Sequence, residues 1–216
     1  MPLFFLDDTL WFPPLEDARP DGLLAIGGDL SNERLLLAYQ NGIFPWYNED
    51  EPPMWWSPDP RFVLFPEELR VSKSMKQVIG KNEFEFRVNT AFEDVIRNCS
   101  LVKRNGIHGT WISNEIIEAY TGLHQEGYAY SAEAWQQGRL VGGLYGVLLG
   151  KVFFGESMFS LVSNASKFAF ISWVEALQQQ GIAMIDCQVH TSHLESLGAR
   201  MISREDFIEI LKENTV

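Results

Sequence analysis

Apolar and polar positions along the chain change their pattern near residue 60. Before it, apolar residues come in short clusters interrupted by Pro, Gly and acidic groups. Only 31–42 (SNERLLLAYQNG) has helical spacing, with Ser31 or Asn32 as cap, Leu35, Leu36 and Tyr39 on the apolar side, and Gly42 at its end. Residues 43–61 (IFPWYNEDEPPMWWSPDPR) hold prolines at 45, 52, 53, 58 and 60, which forbid a regular element through most of the segment. It reads as an aromatic loop, and the first sixty residues read as a small, loop-dominated unit.

From residue 61 the pattern becomes that of alternating elements. Strands are predicted at 61–65, 84–89, 128–136, 139–149, 151–159 and 183–190, where apolar side chains alternate or run on between turn residues. Helices are predicted at 72–79, 91–100, 112–127 (capped near Ser113), 164–181, 193–199 and 204–214. This order predicts an α/β (α+β) fold, a mixed sheet with helices packed on its faces, at 63–216, preceded by the small unit at 1–62.

Composition adds limits. No run of about 20 uncharged residues occurs, and Asp7 and Asp8 stand where a secretory signal needs basic groups, so a soluble, cytoplasmic protein is expected. Cys99 and Cys187 belong to no metal-ligand pattern and read as buried small apolar residues. The formal net charge of −12 argues against a polyanionic partner. The distribution softens that objection, because 61–104 holds nine basic groups against six acidic ones. Arg61, Arg70, Lys73, Lys76, Lys81, Arg87, Arg97, Lys103 and Arg104 either form a local phosphate-binding patch or are an ordinary solvated surface.

Candidate chemistry concentrates in two segments. If 183–190 is a strand, Asp186 and Gln188 share one face with Met184 and His190, and Ile185, Cys187 and Val189 share the other. A carboxylate and a carboxamide two apart on one face make a polar pair that can take a proton or hold a cation; the alternative is a buried, hydrogen-bonded Asp. Glu156 follows Gly155 at a strand end, a second anion that would attract a basic substrate, or else a surface glutamate at a turn. Leu144, Phe153, Met158, Phe170 and Trp173 are core by composition and pocket wall only by proximity to these acids. There is no GxxxxGK[ST], dinucleotide fingerprint, HExxH or GxSxG, and of the four histidines only His190 and His193, in HTSH, stand near ligand spacing, so no metal is expected.

The segments GLLAIGGDLSNERLLLAYQNGIFPW, WWSPDPR, GTWI, LVGGLYG, GESMFS, NASK, IDCQ and SLGA, in this order and spacing, resemble the leucyl/phenylalanyl-tRNA–protein transferase family over nearly the whole chain. The resemblance implies a small N-terminal domain followed by a GCN5-related N-acetyltransferase-like domain. It implies an aminoacyltransferase that moves Leu or Phe, less readily Met, from aminoacyl-tRNA to proteins beginning with Arg or Lys, marking them for N-end-rule degradation. No cofactor is implied, because the tRNA ester is already activated. Asp186, oriented by Gln188, matches the position that assists deprotonation of the acceptor amine, and Glu156 matches one that holds the cationic acceptor, with the two roles exchangeable. Leu144, Phe153, Met158, Phe170, Trp173 and Ile185 match the pocket for the donor side chain, although strand parity turns Ile185 away from Asp186. Trp46 and Trp111 match positions associated with the 3′-terminal adenosine, and Arg61, Lys73 and Lys76 belong to the basic segment that would cradle the acceptor stem. A monomer is expected. Two rival readings are an acyl-CoA-dependent N-acetyltransferase, whose pyrophosphate loop of glycines is missing from ESMFSLVSNASK, and a non-catalytic tRNA- or degron-binding module.

Overall fold

A computed structural model describes residues 3–102 and 111–215. Lys103, Arg104 and His108 lie outside the described residues, as does the start of the GTWI segment. Most of the first unit is loop, as its pattern implies, but short elements order it. It builds a four-stranded sheet from β1 (Phe4–Leu6), β2 (Leu23–Gly27), β3 (Phe44–Pro45) and β4 (Met54–Trp56), in the order β1-β2-β4-β3. Strands of two to five residues are too short to display an alternation, which is why the pattern missed them. Pro45 is tolerated because β3 is an edge strand, and the Trp55 indole, fully buried, donates to the Gly27 carbonyl across the sheet at 2.8 Å. Helix α1 (Asn32–Gln40) joins β2 to β3. The Ser31 hydroxyl caps it by accepting from the Arg34 N–H, and Gly42, at φ 71°, turns the chain out of it.

The remainder forms one seven-stranded mixed sheet. Its strands are β5 (Arg61–Leu64), β6 (Glu85–Val88), β7 (Ala129–Gln136), β8 (Arg139–Leu149), β9 (Val152–Ser160), β10 (Met184–Gln188) and β11 (Arg200–Ile202), in the order β11-β5-β10-β9-β8-β7-β6. Only β9 and β10 pair in parallel; the connection between them is a helix, as a parallel crossover requires. The helices are α2 (Lys73–Gly80), α3 (Phe92–Ser100), α4 (Asn114–Gln125), α5 (Ala165–Gln179), α6 (Ser192–Ser196) and α7 (Arg204–Asn214). Every helix and long strand read from the pattern is present; β11 was not anticipated.

Two apolar cores lie on the two faces of this sheet. One contains Phe168, Phe170, Trp173 and Val174 of α5 against Phe62, Leu144, Phe153 and Ile185. The other joins Val95 and Ile96 of α3, Ile116 and Tyr120 of α4 and Phe207 of α7 to Leu35, Tyr39, Phe44 and Trp55 of the N-terminal unit. The two sheets therefore share a continuous core. Two irregularities shape the site. Between Tyr145 and Gly146 the β8–β9 register shifts, and a Cβ at Gly146 would stand 2.1 Å from the Phe154 carbonyl oxygen, so only glycine fits. The β10–β5 register shifts between Asp186 and Gln188, where Gln188 takes φ 63°.

Candidate active site

A cavity of about 370 Å³ opens beside β8, β9 and β10. Leu144, Met158, Phe170, Ile185 and Leu194 give it apolar lining, Phe44, Trp46 and Trp111 add aromatic lining, and Glu156 and Gln188 bring polar groups. Of the six side chains matched to a donor pocket, Leu144, Met158, Phe170 and Ile185 line this space. Phe153 and Trp173 do not. They are buried behind the wall, Phe153 edge-on to Trp173 at 5.5 Å between ring centroids, so they support the cavity without lining it.

Strand parity does not hold through β10, for a local reason. At the bulge Gln188 adopts the left-handed conformation, which few non-glycine residues take, and this swings its side chain onto the side of Ile185 and Cys187. Gln188 and Ile185 therefore line the same cavity, and Asp186 does not. Asp186 is fully buried. Its carboxylate receives two hydrogen bonds from the Arg61 guanidinium, at 2.8 and 2.6 Å, and one from the Gln188 N–H at 2.9 Å. The carboxylate thus orients Gln188, the reverse of the expected relation, and a direct role as proton acceptor in the cleft does not fit its place.

Arg61 is enclosed with it, away from the surface. Its side chain is 1% exposed, paired with Asp186 and packed between the rings of Phe44 and Phe207, with Cζ 4.7 and 4.6 Å from their centroids. A guanidinium so enclosed cannot meet a phosphate. Elsewhere in the basic segment, Lys81, Arg87 and Arg97 stand in ion pairs with Glu83, Glu85 and Glu93. Lys73 and Lys76 are exposed on α2 and do not line the cavity.

Glu156 is the carboxylate that the cavity reaches. It is buried, and its Oε1 accepts from the Tyr39 hydroxyl at 2.8 Å and from Gln188 Nε2 at 2.8 Å, while Tyr120 donates to its Oε2 at 3.2 Å. The hydroxyls of Tyr39 and Tyr120 are also hydrogen-bonded to each other. Burial pushes the Glu156 carboxyl up to about 7; the three donors oppose that shift and the nearby Asp186 charge adds to it. Desolvation and the Glu156 charge raise both tyrosines well above their ordinary value, so each keeps its proton at neutral pH. Cys187 also lines the space, but burial raises its thiol strongly, which leaves it without nucleophilic character.

Tyr39 and Tyr120 had no functional reading in the sequence. Tyr39 was an apolar-face residue of α1, and its partner Glu156 lies 117 positions away. The available signal was chemical: a tyrosine among the buried positions of a helix needs a partner for its hydroxyl. Trp46, 47% exposed, packs against Trp56 at 5.8 Å between ring centroids, and the Trp56 indole donates to the Trp46 carbonyl, so a half-exposed indole is held in place at the cavity. No described helix is long and apolar enough to cross a membrane.

A family model described as leucyl/phenylalanyl-tRNA protein transferase matches residues 63–212, and one for the N-terminal domain of the same family matches 28–59. A protein of Flavobacterium johnsoniae named leucyl/phenylalanyl-tRNA–protein transferase is 57% identical over 210 residues, covering 97% of this chain and 99% of its own. One of the same name from Syntrophobacter fumaroxidans is 56% identical over 214 residues, covering 99% and 92%. Among solved structures, L-PGS from Bacillus licheniformis aligns with 78% of this chain and 53% of its own, at 11% identity and TM-score 0.43. A GCN5-related N-acetyltransferase-like protein from Streptococcus suis aligns with 83% and 67%, at 11% identity and TM-score 0.38.

Proposed function

From the premise that this chain belongs to the leucyl/phenylalanyl-tRNA–protein transferase family, and so is an aminoacyltransferase using aminoacyl-tRNA and protein substrates, we propose that it moves Leu or Phe, and Met less readily, onto proteins beginning with Arg or Lys. The modified proteins are thereby marked for N-end-rule degradation. The observation that carries this reading is one cavity in which an apolar wall adjoins a single buried carboxylate titrating near neutrality.

The donor side chain enters the recess of Leu144, Met158, Phe170 and Ile185. Each methylene buried there is worth about 0.8 kcal/mol, which favours Leu and Phe over small residues. Trp46 and Trp111 receive the terminal adenine by stacking, worth ~1–3 kcal/mol without any contact to the tRNA body. The acceptor arrives as an ammonium with a pKa of about 8, and must lose a proton before it attacks. An ordinary carboxylate, at ~4.3, is a weak base toward it; Glu156 lies within about one unit, so the transfer costs only ~1.4 kcal/mol. The proton passes to Glu156 and the neutral nitrogen attacks the ester carbonyl carbon. As the carbon–oxygen bond to the ribose breaks, the departing oxygen takes a second proton from the same nitrogen, leaving an amide. Gln188, fixed by Asp186 through its backbone and bonded to Glu156, positions the base; Asp186 is a positioning residue. On this reading the chain has a small N-terminal domain at 1–62 and a catalytic domain at 63–216, works as a monomer in the cytoplasm, and draws the acceptor stem toward Lys73 and Lys76.

Purified protein is expected to transfer radiolabelled Phe or Leu from charged tRNA to a peptide beginning with Arg and to leave one beginning with Ala unmodified. Acetyl transfer from acetyl-CoA without aminoacyl transfer, or binding without turnover, defeats the assignment.

A further inference from the structure

Glu156, Tyr39 and Tyr120 form a triangle of oxygens. Tyr39 reaches Oε1 at 2.8 Å, Tyr120 reaches Oε2 at 3.2 Å, and the two hydroxyls meet each other. Each hydroxyl owns one proton and an ionised carboxylate owns none. Two protons then serve three contacts, and in any arrangement one pair of buried oxygens faces without a hydrogen between them. With a proton on Glu156 the count closes. Oε2–H donates to Tyr120, Tyr120 donates to Tyr39, and Tyr39 donates to Oε1, while Gln188 Nε2 keeps its bond to Oε1 at 2.8 Å. Both tyrosines are fully buried, where an unpaired polar atom is costly and a closed ring strengthens each of its bonds.

We infer that Tyr39, Tyr120 and Glu156 act as a proton-holding ring that is complete only when Glu156 carries the proton surrendered by the acceptor's ammonium. The inference rests on the reading of Glu156 as the base and adds to it two positioning residues, one of which, Tyr39, comes from the N-terminal unit. The groups that face the ring from each packed element are few. α1 contributes Tyr39, α4 Tyr120 and β8 the edge of Tyr145. β10 contributes Gln188, the thiol of Cys187 and Asp186, whose charge is paired with Arg61 of β5, and α6 presents His193 to the same cavity. No described cation pairs with Glu156 itself, so the two hydroxyls and Gln188 are what receive its charge. The balance is one proton in from the ammonium and one out to solvent per turnover, with the two tyrosine protons reoriented and not consumed.

Difference infrared spectroscopy of wild type minus Glu156→Gln isolates the carbonyl band of the neutral Glu156 carboxyl, without substrate. The wild type is expected to show that band at about pH 6 and to lose it near neutrality. Tyr39→Phe and Tyr120→Phe each take one donor from the ionised carboxylate, which by itself raises the midpoint, and each also opens the ring; closure of the ring is expected to outweigh the lost donor, so that the midpoint falls by at least about one unit, the acid limb of the rate profile moving with it. A midpoint that rises in the variants would mean that the hydroxyls merely donate to the carboxylate, and the ring is then wrong. So it is if the wild type shows no neutral carboxyl band at about pH 6, a result independent of how the tyrosine variants fold. A titrating band in a protein that transfers no amino acid would leave the ring intact and refute the proposed function instead.

Discussion

Two buried glutamates show how far environment, and not residue type, decides chemistry at the scale of single side chains. Glu133 is fully buried, which by itself raises its carboxyl, yet hydrogen bonds from Thr90, Trp135, Ser131 and the Ala91 N–H outweigh burial and hold it below its ordinary value. Glu156 accepts from two hydroxyls and one amide, with a second acid nearby, and burial prevails. The first is a locked structural anion; the second is poised to exchange a proton. In the native state Glu156 keeps its proton up to about pH 7, whereas the unfolded chain releases it near the model-peptide value of 4.5. Between those values the folded state binds more protons, so its stability falls as pH rises and levels off above the native pKa. Denaturant unfolding measured across that window is expected to show a negative slope that Glu156→Gln flattens; equal slopes would mean that Glu156 is already ionised in the fold. Transfer activity of the same variant is expected to drop by ~10²-fold or more, while the donor still binds.

At the scale of elements, strand β10 carries the lesson. Its existence was legible from its pattern of side chains, as was that of the longer elements β8, α4 and α7. Its facing was not. Sequence parity joined Asp186 to Gln188, and a single bulge with one left-handed residue separated them, because a shift of one residue exchanges the two faces of a strand. The same shift resolves the conflict over Ile185, which parity set against the site and which lies in its wall. On the proposed reading donor choice is a property of β8, β9, β10 and α5 together, which supply Leu144, Met158, Ile185 and Phe170. Leu144→Phe adds bulk to the recess and is expected to lower transfer of Phe relative to Leu by roughly ten-fold in the ratio of kcat/KM, the range one or two methylenes command in an apolar pocket. Competition between the two charged tRNAs would measure it, and an unchanged ratio would place the donor side chain elsewhere.

For the whole molecule, the N-terminal unit and the seven-stranded sheet share one core and one site. Tyr39 of α1 bonds to Glu156 of β9, and Phe44 of β3 packs on Arg61 of β5. A single cooperative unfolding transition is therefore expected by calorimetry; two resolved transitions would show that the units fold separately. What the sequence determined by itself was the alternation of elements, the mixed α/β class and, through its ordered short segments, the family. These are local or cumulative signals that survive without knowledge of contacts. What only the tertiary structure decided was which acid meets the cavity, that Arg61 is spent on Asp186, that Phe153 and Trp173 stand behind the wall, and that two tyrosines complete the site. Those depend on partners as many as 125 residues apart brought within hydrogen-bond reach, and on a bulge no alternation announces, so burial and proton affinity exist only once the chain has closed around them.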